Sequence, residues 1–243
     1  MITMTNVPDG TPVETPIVAP AGMIASGDIY TFMWIATARG LDSAGGAIGT
    51  RAQQAMRSSQ SCYMVGLKEK IALRTNDGAP WLWRRICFTY KGDRFLDTAD
   101  PAESDLFRQT SAGYVRLVNE IPDETWDEFA AAAFRGTQNV DWTDRFTAPL
   151  DTSRISVKYD KMTTIRSGND SGTIRVTSRW HGMRHNLVYG DEENGDTVDG
   201  FPMSTEGKPG MGDYYVVDMF RCFEGGSHTL SFGPEATLYW HEK

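Results

Sequence analysis

The sequence predicts an all-β protein: a single eight-stranded antiparallel jelly-roll sandwich with one short helix and long loops. Two observations carry this. About eight runs rich in Val, Ile, Thr and aromatic residues are spread along 243 residues and separated by loops bearing Gly, Asp and Pro. Strand-like runs nowhere alternate with helical ones in the βαβ manner, and only Asp123–Phe134 has a convincing helical pattern. An all-β chain of this length is commonly one domain. The expected division is therefore 1–27, an extended leader, and 28–243, the jelly-roll domain.

The elements follow in order. Met1–Gly27 is Pro- and Thr-rich, without periodicity and without a single Lys or Arg. Asp28–Thr37 is dense in aromatic and β-branched residues and reads as a strand. Arg39–Ser61, rich in Gly, Ser and Ala, reads as a long loop with a short helix at Arg51–Ser58. Cys62–Thr75 is a long strand, and the Asp-Gly of Thr75–Gly78 suits a tight hairpin into the next strand, Trp81–Tyr90. Gly92–Phe107 is an acidic loop and Ala112–Val118 a short strand. In Asp123–Phe134, Asp123 is the expected N-cap, acids occupy the first turn, and Trp126, Phe129, Ala130 and Ala133 form an apolar stripe. Tyr214–Phe223 and Ala236–Glu242 are the last strands.

The stretch Ser153–Tyr189 organises the rest. Its runs Arg154–Ile165 and Thr173–His181 flank the turn Arg166–Gly172, which reads as an antiparallel hairpin. Period two puts Ile155, Val157, Tyr159, Ile174, Val176 and Ser178 on a buried face. It puts Ser156, Lys158, Asp160, Arg175, Thr177 and Arg179 on a wet, basic one. The net charge of −8 argues against a simple nucleic-acid binder, yet the charge is segregated. Arg154 to Arg184 carries seven Lys/Arg, and acids concentrate in Gly92–Glu128 and Asp191–Glu224.

Several function classes find little support. No run of 18 apolar residues exists, so no membrane span is expected, and the first residues lack the pattern of a secretory signal. Cys62, Cys87 and Cys222 are single and widely spaced, which suits buried thiols in a reducing compartment. There is no G-x-S-x-G elbow, and Gly207–Gly212 lacks the strand–loop–helix setting and G-K-[ST] of a phosphate loop. His181 and His185 have ligand spacing only on a helix, which Gly182 and its strand-like neighbours oppose. Asp191–Asp199 lacks the ligand spacing of an EF-hand. No catalytic residue, cofactor or metal is expected.

Trp81 and Trp83 beside Arg84 and Arg85 have two readings: aromatics on a strand are usually core, and aromatics beside paired arginines also suit base stacking with phosphate contacts. Consecutive arginines on a strand face opposite ways, so at least one must find water, a carboxylate or a phosphate.

Four blocks, CYMVGLKEKIALRTNDGAPWLWRRICFTYKG (Cys62–Gly92), YDKMTTIRSGNDSGTIR (Tyr159–Arg175), WHGMRHNLVYGDEENG (Trp180–Gly195) and GKPGMGDYYVVDMF (Gly207–Phe220), resemble the capsid proteins of genomoviruses, related to geminivirus coat proteins. The resemblance implies a jelly roll that self-assembles into a small icosahedral shell around circular single-stranded DNA, with no enzymatic activity. It also implies location in the virion, and in the host nucleus and cytoplasm during assembly. Family members resemble one another in a basic arm before the first strand; Met1–Gly27 departs from that. On this reading Arg84, Arg85, Arg154, Lys158, Lys161, Arg166, Arg175 and Arg179 are the candidate DNA contacts and Trp81 and Trp83 candidate stacking residues, with intramolecular ion pairs as the other role for each cation. Acidic loops then offer host or vector contacts. A carbohydrate- or ligand-binding β-sandwich, suggested by seven Trp, and a jelly-roll hydrolase are the alternatives.

Overall fold

The computed structural model describes residues 2–4, 17–20, 29–41, 56–96, 104–110, 113–224 and 228–242. The strands are β1 (Ile2–Met4), β2 (Ile17–Pro20), β3 (Tyr30–Ile35), β4 (Ser61–Thr75), β5 (Trp81–Tyr90), β6 (Phe107–Thr110) and β7 (Gly113–Glu120). Helix α1 (Asp123–Ala133) follows, then β8 (Ser156–Ile165), β9 (Ile174–Val188), β10 (Glu192–Asn194), β11 (Thr197–Asp199), β12 (Asp213–Cys222) and β13 (Thr229–Glu242). Most of the expected leader, most of the helix expected at Arg51–Ser58, and part of the Gly92–Phe107 loop lie outside the described residues.

Two sheets make the sandwich. One runs β1-β7-β3-β12-β5-β8, with β6 also on β7; the other runs β2-β13-β4-β9. Every pair is antiparallel except β1 on β7, which is parallel. Three pairs are nested, first strand with last: β3 with β12, β4 with β9, β5 with β8. That nesting is the wrapping of a jelly roll.

The larger sheet is the middle layer. Between the sheets lies one core, with Trp34, Leu67, Trp81, Trp83, Phe220 and Phe232. Beneath the other face lies a second, where Phe88, Phe95 and Tyr215 meet Trp126 and Phe129 of α1. Cover on both faces explains why β5 and β12 are buried almost throughout whereas burial along β4 largely alternates. The helix begins one residue earlier than expected: Pro122, not Asp123, is the N-cap, and Asp123 and Glu124 sit in the first turn, where the dipole favours acids.

The hairpin expected between β8 and β9 does not form. β8 pairs with β5 and β9 with β4, so the Arg166–Thr173 connection crosses from one sheet to the other. The link between β4 and β5 does the same, and the two connections are tied by a Thr75 N–H bond to the Thr173 carbonyl (3.0 Å). The buried face of β9 is also the opposite of the expected one. Ile174 and Val176 point to solvent, whereas His181, Met183 and Leu187 are buried. Alternation fixes the partition of a strand into two faces but not which face is inside.

Candidate nucleic-acid interface

β8 and β9 are the free edges of their sheets and lie on the same side of the sandwich. Along β8 the register puts Tyr159, Lys161 and Thr163 on the side facing the other sheet. Along β9 it puts Arg175, Thr177, Arg179 and His181 there. The edges meet where the Arg179 guanidinium donates to the Tyr159 hydroxyl (2.6 Å) and lies over its ring, 4.7 Å from the centroid. A cleft of about 310 Å³ opens here, lined by Lys158, Tyr159, Arg179, Trp180, His181 and Tyr214 among others. This volume is at the small end for ligand sites. Lys158 lines the cleft and is exposed; Lys161 and Arg175 are exposed at inward positions further along the two edges, and Arg166 is exposed on the crossing turn. The inward-facing positions of both edges hold no carboxylate; Asp160 faces the opposite way, bound to Arg84. The arrangement is a cationic slot with aromatic walls, chemically suited to a phosphodiester chain.

Below the slot a polar network joins the sheets. Arg85 Nη2 donates to Glu69 Oε1 (2.9 Å) and to Asp218 Oδ2 (3.0 Å), and Trp83 Nε1 donates to Asp218 Oδ1 (2.7 Å). His181 Nε2 lies 2.5 Å from Glu69 Oε2, and its Nδ1 is 3.0 Å from the Tyr214 hydroxyl. A carboxylate can only accept, so Nε2 carries a proton. Burial pushes the Asp218 carboxyl up to about 6 against the pull of Arg85. Burial acts the same way on Glu69, but Arg85 and His181 together outweigh it and hold that carboxyl below its usual range. Burial raises the Cys87 thiol to about 12, so the neighbouring sulfur is a neutral filler.

Four of the expected DNA-facing residues are therefore interior groups. Arg84 is buried, binding Asp160 through two bonds (2.9 and 2.8 Å) and the carbonyls of Arg145 and Ala148. Arg85 is only 1% exposed. Trp81 and Trp83 are buried in the inter-sheet core and have no face free for a base. Each of the adjacent arginines finds a carboxylate because β5 is covered on both faces. Arg154 stands apart from the slot, with Asp151 at 3.1 Å and the Ala131 carbonyl as partners. It lines a separate hollow with Tyr90, Lys91 and Ser156. Lys158, Lys161, Arg175 and Arg179 are the candidates the fold brings together.

Sequence reasoning missed Tyr159 as a slot residue; Trp180 borders the cleft, but its ring lies on the outer face of the sheet against Gly66 and Tyr239. The His181–His185 spacing carries a different chemistry from metal ligation, since His181 belongs to the buried network and His185 bonds the Met183 carbonyl. In the Gly207–Gly212 loop, Lys91 Nζ donates to the carbonyls of Gly207, Lys208 and Pro209 (2.6, 2.7 and 3.1 Å). The loop turns oxygens, not amides, toward its one bound charge, the reverse of a phosphate cradle. Among the described residues no cluster of His, Cys, Asp or Glu is arranged to hold a metal, and no helix is long and apolar enough to cross a membrane. No protein-family model matches the chain, and no curated protein matches it in sequence.

Proposed function

We propose that this chain is a structural subunit, a capsid protein whose copies close into a small icosahedral shell around circular single-stranded DNA, without enzymatic activity. The observation that carries the reading is the cationic slot: in a chain of net charge −8, Lys158, Lys161, Arg175 and Arg179 converge on one open side of a sandwich, with no acid on the inward face of either edge. The four sequence blocks that resemble genomovirus capsid proteins supply the assembly and the identity of the polyanion. Phosphate contacts hold such a genome without regard to sequence and weaken with salt. The chain then belongs in the virion, and in the host nucleus and cytoplasm during assembly.

The glycan-binding alternative drew on seven tryptophans. Trp34, Trp81, Trp83, Trp126 and Trp142 are buried, which leaves that reading without a ring platform from those five. The test is electron microscopy of the purified protein together with recovery of nuclease-protected DNA. Uniform closed particles are expected from the native chain. A variant carrying Lys158→Glu, Lys161→Glu, Arg175→Glu and Arg179→Glu is expected to give empty shells. Its affinity for an oligonucleotide should fall at least about tenfold, and its salt slope should drop by roughly 0.7 for each phosphate that the variant no longer neutralises. A native chain that stays monomeric at high concentration overturns the assembly reading, and a variant that packages DNA normally overturns the slot.

A further inference from the structure

The outer face of the four-stranded sheet is unlike the slot. Along β4 the outward residues are Lys68, Lys70, Ala72 and Arg74; along β9 their cross-strand partners are Trp180, Ser178, Val176 and Ile174. Trp180 lies against Gly66, where a side chain would collide with its ring, and meets Tyr239 of β13 at 5.7 Å. Trp180, Val176 and Ile174 are each more than half exposed. Glu235, opposite Lys70, is the one carboxylate in these facing rows. This is a cationic, apolar surface, too wet in its aromatics and aliphatics for a finished exterior.

At one end of the molecule stands its complement. β10 and β11 form a hairpin that pairs with no other strand. Its register sets Glu192 directly opposite Asp199, and Glu193 opposite Val198, which is more than half exposed. Glu193 and Asp196 are exposed too. A lone two-stranded hairpin is marginal in water, and like charges directly opposed weaken it further. Yet its root is rigid. Asp191 forms a buried ion pair with Arg57 and accepts the Phe201 N–H (2.8 Å), and the guanidinium rests 3.9 Å from the Tyr189 ring centroid.

We infer that the Glu192–Asp199 hairpin of one copy docks on the Lys68–Lys70–Arg74 face of a second copy, with Val198 set against the exposed apolar side chains there. The contact joins two different patches, so it is heterologous, and a repeated heterologous contact closes a ring when its rotation permits. The cationic face supplies the counter-charge that the hairpin lacks among the described residues. The inference rests on the shell reading and specifies one of its interfaces.

Two charge-reversed variants test it: Lys68→Glu/Lys70→Glu/Arg74→Glu, and Glu192→Lys/Glu193→Lys/Asp199→Lys. Thermal melting first establishes that each is folded. Sedimentation velocity at one fixed salt concentration then reads association. Each variant alone should associate at least about tenfold more weakly than the native chain, because like charges then face each other across the contact. An equimolar mixture should associate more strongly than either variant alone, because each variant offers the other a complementary surface. Two folded variants that associate like the native chain overturn the docking while leaving the shell reading intact. Reversed-face particles that form normally but lack DNA also overturn it, and assign the face to nucleic acid. Open or small oligomers that vanish on reversal and return on mixing support the docking and overturn the closed shell.

Discussion

Replacing Arg85 with Met separates a structural arginine from a genome contact. Arg85 is bonded to both Glu69 and Asp218, and all three side chains are at most 1% exposed. Removing one member of a buried ionic group leaves the others charged and unsolvated, at a cost of about 3–5 kcal/mol. For a chain of this length each kcal/mol shifts the melting temperature by roughly 2–4 °C, so Arg85→Met should lower it by about 6–20 °C. The half-exposed pair Arg94–Glu128 is the control: Arg94→Ala should cost about 1 kcal/mol or less, because exposed ion pairs contribute little. Neutralising the acids as well, in Glu69→Gln/Arg85→Met/Asp218→Asn, should recover most of the loss, since the penalty lies in the orphaned charges. Differential scanning calorimetry reads all three. If Arg85→Met melts within 2 °C (about one control's effect) while oligonucleotide binding collapses, Arg85 is a phosphate contact and its assignment to the interior is wrong.

Two further outcomes follow from single groups. Asp213 is fully buried with Thr37 Oγ1 (2.9 Å) and the Ser204 N–H (2.6 Å) as donors, and burial lifts its carboxyl to about 6. A raised folded value means its contribution is fully present below about pH 4 and is lost as pH rises through about 6. Relative to Asp213→Asn, the native chain should therefore lose up to about 3 kcal/mol between those limits; denaturant melts of both proteins that keep a constant difference across that window refute it. Gly172 has φ 78°, and a Cβ there would land on the Thr75 carbonyl oxygen, whereas Gly195 at φ 69° has nothing within 4 Å. Gly195→Ala should cost about 1–2 kcal/mol of left-handed strain, and Gly172→Ala clearly more; equal losses in calorimetry show that the close approach of the two crossing connections is not structural.

The strands were legible because their chemistry is local. Trp81–Tyr90 emerges with the bounds its composition suggests, and the apolar stripe of α1 packs as its spacing implies. What sequence could not supply is which sheet each strand joins. The Arg166–Gly172 segment has hairpin residues, and so does Thr75–Gly78, yet both cross between sheets; their turn chemistry is satisfied equally well by a tight return or by a crossing of eight residues in the first case and five in the second. The error propagated to the site. With β8 and β9 placed side by side in one sheet, Ile174 and Val176 belong inside. With the two strands as facing edges, Arg179 and His181 turn inward and the aliphatics turn out. Arg84 and Arg85 were ambiguous for a different reason. A charged pair on a strand points to a surface only when one face is wet, and nothing local in β5 reveals that a helix covers the face opposite the second sheet.

The nested pairing also explains why the cations sit where they do. β8 and β9 end their sheets with unpaired backbone over 10 and 15 residues, long enough to template unwanted strand addition. Inward-pointing charges are one way to blunt such edges, because an added strand would bury them against the core. Lys161, Arg175 and Arg179 occupy those positions, and Arg179 is held by Tyr159 rather than by a carboxylate. An acid would guard an edge as well as a base, so edge protection accounts for charge but not for its sign. The uniform sign on both inward faces, in a chain with more acids than bases, is the part that edge protection leaves over. The proposed nucleic-acid role, with phosphates lying along the two edges, is the reading that supplies that sign.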